Sequence, residues 1–468
     1  MYLQITVYCL YQIVKREINQ GDNAMSIETA DNKVKPPSQN KATLRWIILG
    51  MTALVLVLNY ADRAALGVAG PHIIKDLGLS GTQFGLIASA FFFSYSPFCF
   101  IGGWLSDKYG PRTVMGIAVA WWSLFTGLTA LGSSFVLMFI IRFLFGFGEG
   151  PQGAVSTKTM HNWFPQRQMS TAMGLAQGAT PLGGAIGTPL VVALIGIADW
   201  RWSFVVLGII GIFIAIAWFA VVRDRPDLHP WATQRDIDLQ REKLTQPILS
   251  ADDKGEPSLG FYCRMPVLLA TSVAFFGYGW VLFTFLTWFP VYLSEVRGVD
   301  LKGLAFAGSL PWVFGVIGFA SGGFVSDILA RRTGKPIGAR SAVIVIGLVA
   351  TAIQFAFITY VATTLSAVLL MSGVVFSLYI TGAQYFAIIG DIVPSRRLGG
   401  VMGYVHAIAN LSGIISPVVA GEIIDRTGNW TLVFFTAAGI CLLGCILVSF
   451  FGRERKIEVY LKRNESKS

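Results

Sequence analysis

Hydrophobic positions run along this chain in long blocks that are nearly free of charge. No Asp, Glu, Lys or Arg occurs in 113–141, 168–198, 265–294, 303–326, 398–421 or 427–452, and the longest such block is 341–390. A bilayer core of ~30 Å, at ~1.5 Å of helix per residue, needs ~20 apolar residues to cross. The pattern predicts twelve spans, at 46–71, 81–105, 112–132, 135–160, 168–197, 201–222, 265–294, 303–326, 339–360, 364–390, 398–421 and 429–452. The block 341–390 holds parts of two, joined around 361–365. The one long polar stretch, 223–263, separates spans 6 and 7 and reads as a linker, helical around 233–244. The expected organisation is an N-terminal tail (1–44), a six-helix bundle (45–222), the linker, a second six-helix bundle (264–452) and a C-terminal tail (453–468). The fold class is all-α integral membrane, with two pseudo-symmetric halves.

Composition narrows the class. Charged residues make up 13% and hydrophobic ones 54%, against about 25% charged in soluble domains. A soluble globular domain, collagen, disorder and a disulfide scaffold are excluded. The net charge of +10 (36 − 26) is loop charge rather than a nucleic-acid footprint. One side of the predicted bilayer carries Lys108, Arg112, Lys158, Arg167, Arg331, Arg332, Lys335, Arg340, Arg396 and Arg397. The other carries Lys75, Arg201, Arg297, Lys302 and Arg426. The positive-inside bias therefore predicts cytoplasmic termini and linker in a cytoplasmic (inner) membrane. At the N-terminus the apolar stretch precedes Lys15 and Arg16, the reverse of a signal peptide. Translation is expected to start at Met25, with 1–44 loosely attached. Cys9, Cys99, Cys263, Cys441 and Cys445 form no CxxC, and neither a metal site nor a disulfide is expected.

The halves repeat. Gly103-Trp-Leu-Ser-Asp107-Lys-Tyr-Gly-Pro-Arg112 follows span 2, and Gly323-Phe-Val-Ser-Asp327-Ile-Leu-Ala-Arg331-Arg332 follows span 8. A second echo pairs Pro165–Gly174 with Pro394–Gly403. Equivalent loops in equivalent places mean two copies of one architecture. The first of these stretches resembles the loop 2–3 signature of the major facilitator superfamily, and the second resembles a degenerate copy. In more detail the chain, over 46–452, resembles the anion:cation symporter family. The carriers of that resemblance are Asn59-Tyr-Ala-Asp-Arg63, Arg142-Phe-Leu-Phe-Gly-Phe-Gly-Glu149-Gly-Pro151, Trp163-Phe-Pro165 and Thr287-Trp-Phe-Pro-Val-Tyr-Leu293. Met169 departs from the pattern, since members often carry Arg there. Gly178-Ala-Thr-Pro181-Leu-Gly183-Gly184 partly resembles an antiporter motif, with different spacing.

Ionisable groups at membrane depth cost at least ~2.5 kcal/mol each on insertion scales and need an explanation. Asp62, Arg63, Arg142 and Glu149 fall well inside spans 1 and 4, and the middles of spans 7 to 10 hold none. Arg142 and Glu149, seven apart, lie ~20° off a common helix face and ~10 Å apart along the axis. Gly146 and Gly148 between them leave room for a ligand or a close neighbouring helix. Asp62 and Arg63 point ~100° apart. Internal salt bridges between the two helices are the bland account of these four. The functional account is a site of zero net charge: protonating both acids exposes two arginines, for which an anion is the counter-ion. Burial and the arginines act on the acids in opposite senses. The family resemblance implies the same roles, with Asp62 and Glu149 as proton sites and Arg63 and Arg142 holding a substrate carboxylate.

Neutral contacts are expected from Tyr278, Gln384, Tyr385, Asn410 and Ser412 in the second half and from Tyr60 and Tyr95 in the first; interhelical hydrogen bonding or core packing is their bland role. His406 reads as packing. Asp107, Arg112, Asp327 and Arg331 sit at cytoplasmic helix ends, and the resemblance implies a conformational latch without substrate contact. No phosphate-binding loop, HExxH or nucleophile elbow appears, so the chain reads as no enzyme and needs no cofactor beyond the proton as coupling ion. The expected function is import of an organic carboxylate by proton symport with alternating access. Sugar acids such as hexonates, hexarates or hexuronates lead because several hydroxyl partners are on offer. The alternative is a proton-driven exporter of drugs or metabolites. Small organic anion and lipid bilayer are the expected partners, nucleic acid is not, and a monomer is expected.

Overall fold

A computed structural model describes residues 44–165, 168–238, 258–393, 395–453, 457 and 460, without the side chains of 169, 170 and 395–399. The tail with Met25, the linker from 239 to 257 and most of the C-terminal tail lie outside the described residues. Among the described residues twelve helices are long and apolar enough to cross a bilayer. Spans 1 to 3 are Leu44–Leu77, Gly81–Tyr109 and Pro111–Leu131; spans 4 to 6 are Phe135–Trp163, Met169–Ile197 and Trp200–Val221. Spans 7 to 9 are Pro266–Glu295, Leu301–Thr333 and Pro336–Phe357; spans 10 to 12 are Thr364–Ile392, Ser395–Thr427 and Trp430–Phe451.

Each predicted span is present, and the differences lie at the ends. Span 1 continues through Pro71 to Leu77, and span 8 runs past Asp327 to Thr333, where Gly334 adopts φ 65° and stops it. Polar last turns outside the hydrocarbon keep helical hydrogen bonds without needing apolar side chains. Span 2 begins with a capping box, Ser80 and Gln83 satisfying each other's backbone N–H. Proline at the first helical position starts spans 3, 7 and 9. Within the expected linker, helix is described at 234–238 and at Leu259–Cys263.

Span 4 breaks at Gly150–Pro151, between Phe135–Glu149 and Gln152–Trp163. Proline offers no N–H to continue the ladder. Just before the break, a side chain on Gly146 would strike Ser94 and the Phe91 carbonyl of span 2, and one on Gly148 would come within 2.8 Å of the Trp122 backbone of span 3. The room left by these glycines is therefore filled by neighbouring helices. Ser94 Oγ donates to the Phe143 carbonyl and Trp121 Nε1 to that of Leu144, at 2.5 and 2.8 Å, fixing the rotation of span 4.

The halves meet where span 1 packs on span 7, span 2 on span 11 and span 5 on span 8. Spans 6 and 7 flank the linker, so its side is called the linker face and the opposite side the far face. Hydrogen bonds join the halves at the far face, from Gly81 and Thr82 to Glu422 and Asp425. At the linker face Lys158 pairs with Asp107 within the first half, and Arg340 with Asp391 at 2.9 Å within the second. The molecule is clasped at the far face.

Candidate functional site

Spans 1 and 4 bring the four buried charges together at mid-depth. Arg63 Nε donates to Glu149 Oε1 at 2.5 Å, with Glu149 fully buried. The Arg63 guanidinium also lies 4.9 Å from the ring centres of Phe91 and Tyr95 and 5.3 Å from that of Tyr60. Aromatic faces compensate partly for the water it has lost. Glu149 faces Asn59 as well. Sequence spacing placed Glu149 on the face of Arg142; the closer partner is Arg63, from another helix.

Arg142 is 4% exposed, its guanidinium 4.6 Å from the Phe145 ring and 5.9 Å from that of Phe91. It makes no ion pair within 4.0 Å among the described residues, and its Nε has no hydrogen-bond partner. Asp62, 2% exposed, faces Trp122 and Thr126 of span 3, and neither carboxylate oxygen meets a donor in good geometry. Arg63 and Arg142 line one small cavity between the halves, with Phe91 and Phe92 of span 2 and Phe283 and Thr287 of span 7. A second, apolar cavity adjoins it, lined by Ala64 and Val68 of span 1, Phe285 of span 7 and Trp312 of span 8.

The neutral candidates divide. Tyr60 and Tyr95 flank Arg63, and Tyr278 lies beside Tyr379 of span 10. Tyr385 stacks on Phe275 at 4.5 Å, and its hydroxyl meets Thr381 within its own helix at 3.2 Å. Ser412 donates to the Ala409 carbonyl at 2.5 Å and packs on Gly279, also a packing role. Asn410 and Gln384 are buried, and the Gln384 amide nitrogen has no partner. His406 lies edge-on and tilted between Phe386 and Phe275.

Of the latch candidates, Asp107 pairs with Lys158 of span 4 rather than with Arg112. Arg112 instead donates from its guanidinium to the Phe219 carbonyl and from its backbone to Asp224, both at 2.7 Å, binding span 3 to the end of span 6. Arg331 donates to the Asp327 backbone carbonyl at 3.3 Å. Sequence reasoning missed Lys158, Arg340 with Asp391, Asp425, Trp312 and Tyr379. Charge complementarity at matching loop ends could have suggested Lys158 and the Arg340–Asp391 pair; Asp425, Trp312 and Tyr379 carry no signal along the chain. Cys99, Cys263, Cys441 and Cys445 are free thiols, and no cluster of metal-ligating side chains occurs among the described residues.

Two helical halves packed around a buried, arginine-lined cavity and hydrogen-bonded to each other at the far face are the architecture of a multi-pass membrane transporter. The sequence profile of the Major Facilitator Superfamily matches residues 52–385 and 334–467. The chain belongs to that superfamily and is a transporter, not an enzyme. It is 41% identical over 400 residues to a hexuronate transporter of Bacillus subtilis, covering 85% of this chain and 92% of the relative. A probable sulfoacetate transporter of Cupriavidus necator is 34% identical, covering 87% and 93%. A probable galactarate/D-glucarate transporter of Bacillus subtilis is 30% identical, covering 87% and 92%. Among solved structures, a bacterial homologue of the human lysosomal transporter Spinster, inward-facing and unoccupied, superposes with a TM-score of 0.70 at 16% identity, over 90% of this chain and 99% of that one. That likeness is one of fold.

Proposed function

We propose that this protein imports a sugar acid, of the hexuronate kind, together with protons, across a cytoplasmic membrane with its linker face inward. The observation that carries this reading is Arg142, buried at the cavity wall with no ion-pair partner among the described residues. A buried unpaired guanidinium is costly, and a substrate carboxylate is its natural complement. The hexuronate transporter relative supports the substrate class, and the loop charge bias supports the orientation.

The same geometry supplies a coupling scheme. With Glu149 ionised, Arg63 is paired and unavailable. A proton on Glu149 frees Arg63 to join Arg142 on the anion. Asp62, beside Trp122 and Thr126 and electrostatically linked to Arg142, serves as the second proton site. Closure at the far face then corresponds to a cavity reached from the cytoplasm, the state that releases substrate.

Uptake of D-glucuronate and D-galacturonate into proteoliposomes, with and without an inward proton gradient, tests the proposal. Accumulation above equilibrium is expected only with the gradient. Gradient-independent flux would refute the coupling, and absence of any hexuronate flux would refute the substrate class.

A further inference from the structure

Aromatic rings from four spans converge next to Arg63. Trp312 of span 8 meets the Tyr60 ring edge-on at 6.0 Å and the Tyr379 ring at 6.4 Å, and Tyr379 of span 10 meets the Tyr278 ring of span 7 at 6.1 Å. Tyr60, in turn, carries the Arg63 guanidinium 5.3 Å from its ring centre. The cluster therefore crosses the seam between the halves, with its first-half end on the arginine side of the site. Tyr379 is 2% exposed, and its hydroxyl meets no partner in good hydrogen-bond geometry. That hydroxyl lies beside those of Tyr60 and Tyr278. Buried hydroxyls are normally paired, and each exception calls for an explanation.

The surroundings suggest one. A carboxylate held by Arg63 and Arg142 leaves the rest of a short acid extending toward the second half. An aliphatic acid would offer only methylenes to the three phenols there. A polyhydroxylated acid offers hydroxyls to pair with them and C–H faces to lie against Tyr60 and Trp312. Packing alone would be served equally well by phenylalanine at position 379.

We infer that Tyr379 is a specificity-determining residue that takes one hydroxyl of a polyhydroxylated acid whose carboxylate the arginines hold. The inference rests on the sugar-acid reading of the site given above. It also gives the otherwise neutral second half a polar contact to substrate.

The test compares the wild-type protein and Tyr379→Phe in equilibrium binding of D-glucuronate and the set of its monodeoxy analogues. The substitution keeps the ring and its packing. Tyr379→Phe is expected to weaken D-glucuronate about ten-fold, the scale of one hydrogen bond. Every analogue that retains the contacted hydroxyl should weaken equally, and the one that lacks it should bind the variant and the wild type alike. Unchanged D-glucuronate binding by the variant would overturn the inference and leave the proposed function standing. An equal loss across every analogue would mark a structural role and overturn it as well. Wild-type protein that binds neither D-glucuronate nor D-galacturonate would overturn the proposed function and this inference together.

Discussion

Replacing Asp425 with alanine removes three of the four hydrogen bonds described between the halves at the far face. Asp425 Oδ1 accepts the Gly81 N–H at 2.7 Å; Oδ2 accepts the Thr82 N–H at 2.7 Å and its hydroxyl at 2.6 Å. Glu422 shares that hydroxyl at 2.9 Å. The two amides are among the first free donors of span 2, so a carboxylate from one half sits on the positive end of a helix in the other. The contact is exposed to solvent, which discounts its strength. A side-chain cap contributes about 1 kcal/mol and a carboxylate at an exposed helix start about 0.5 kcal/mol. Span 2 keeps its own cap through Ser80 and Gln83, so the loss falls on the junction between halves and not on the helix. About 1–2 kcal/mol corresponds to a roughly 5–30-fold shift toward the state open at the far face. Spin labels at the exposed Lys75 and Leu432 report that opening by pulsed dipolar spectroscopy in liposomes. A longer-distance population that grows by this factor in Asp425→Ala is expected. A distance distribution indistinguishable from wild type would refute the clasp.

Other outcomes follow from the buried charges and the linker face. Glu149→Gln and Asp62→Asn, each mimicking a protonated acid, should lose gradient-driven accumulation while retaining substrate binding with a flattened pH dependence between about pH 5 and about pH 8; uptake, exchange and binding assays on each variant separate these effects. Arg142→Ala should lose binding across that whole range, by about 2–5 kcal/mol as when one partner of a buried charge pair is truncated, and titration calorimetry reads the loss directly. If the acid variants lose binding as completely as Arg142→Ala, the four residues form a structural network. Asp107→Asn and Lys158→Ala should slow uptake to a similar degree with an unchanged dissociation constant, since their ion pair lies at the linker face away from the cavity.

The spans were legible because a charge-free run of bilayer length has few alternative explanations. Their ends were less so: once a helix leaves the hydrocarbon, as at 327–333 and 72–77, hydropathy stops marking it. The four buried charges stood out for the complementary reason, since each is an exception to an apolar pattern. Their pairing did not. Helical spacing relates Arg142 to Glu149, yet the ion pair forms with Arg63 of span 1, a contact between helices that spacing within one helix cannot show. Residues whose role depends on two distant spans meeting left no trace. Tyr379 and Trp312 look like any aromatic residue in an apolar helix, and Asp425 looks like a solvated helix end.

The asymmetry between the halves constrains the transport cycle. The buried ion pair, the remaining arginine and the second acid all belong to spans 1 and 4, so titrating them changes forces inside one rigid bundle. Such a change moves the halves only if it has different consequences in the two states, since a ligand shifts an equilibrium only by its differential affinity. A proton alone on Glu149 releases Arg63 without adding a contact across the seam. An anion bound only by the arginines likewise meets the same partners in either state. A substrate that spans from Arg142 to Tyr379 contacts both bundles, and its contacts with the second depend on how the halves are arranged. Under this scheme neither the proton nor a bare carboxylate drives the far-face clasp of Asp425 open or shut by itself. On the proposed reading, the hydroxylated end of the substrate, reaching a half that has no charge at mid-depth, would supply the coupling.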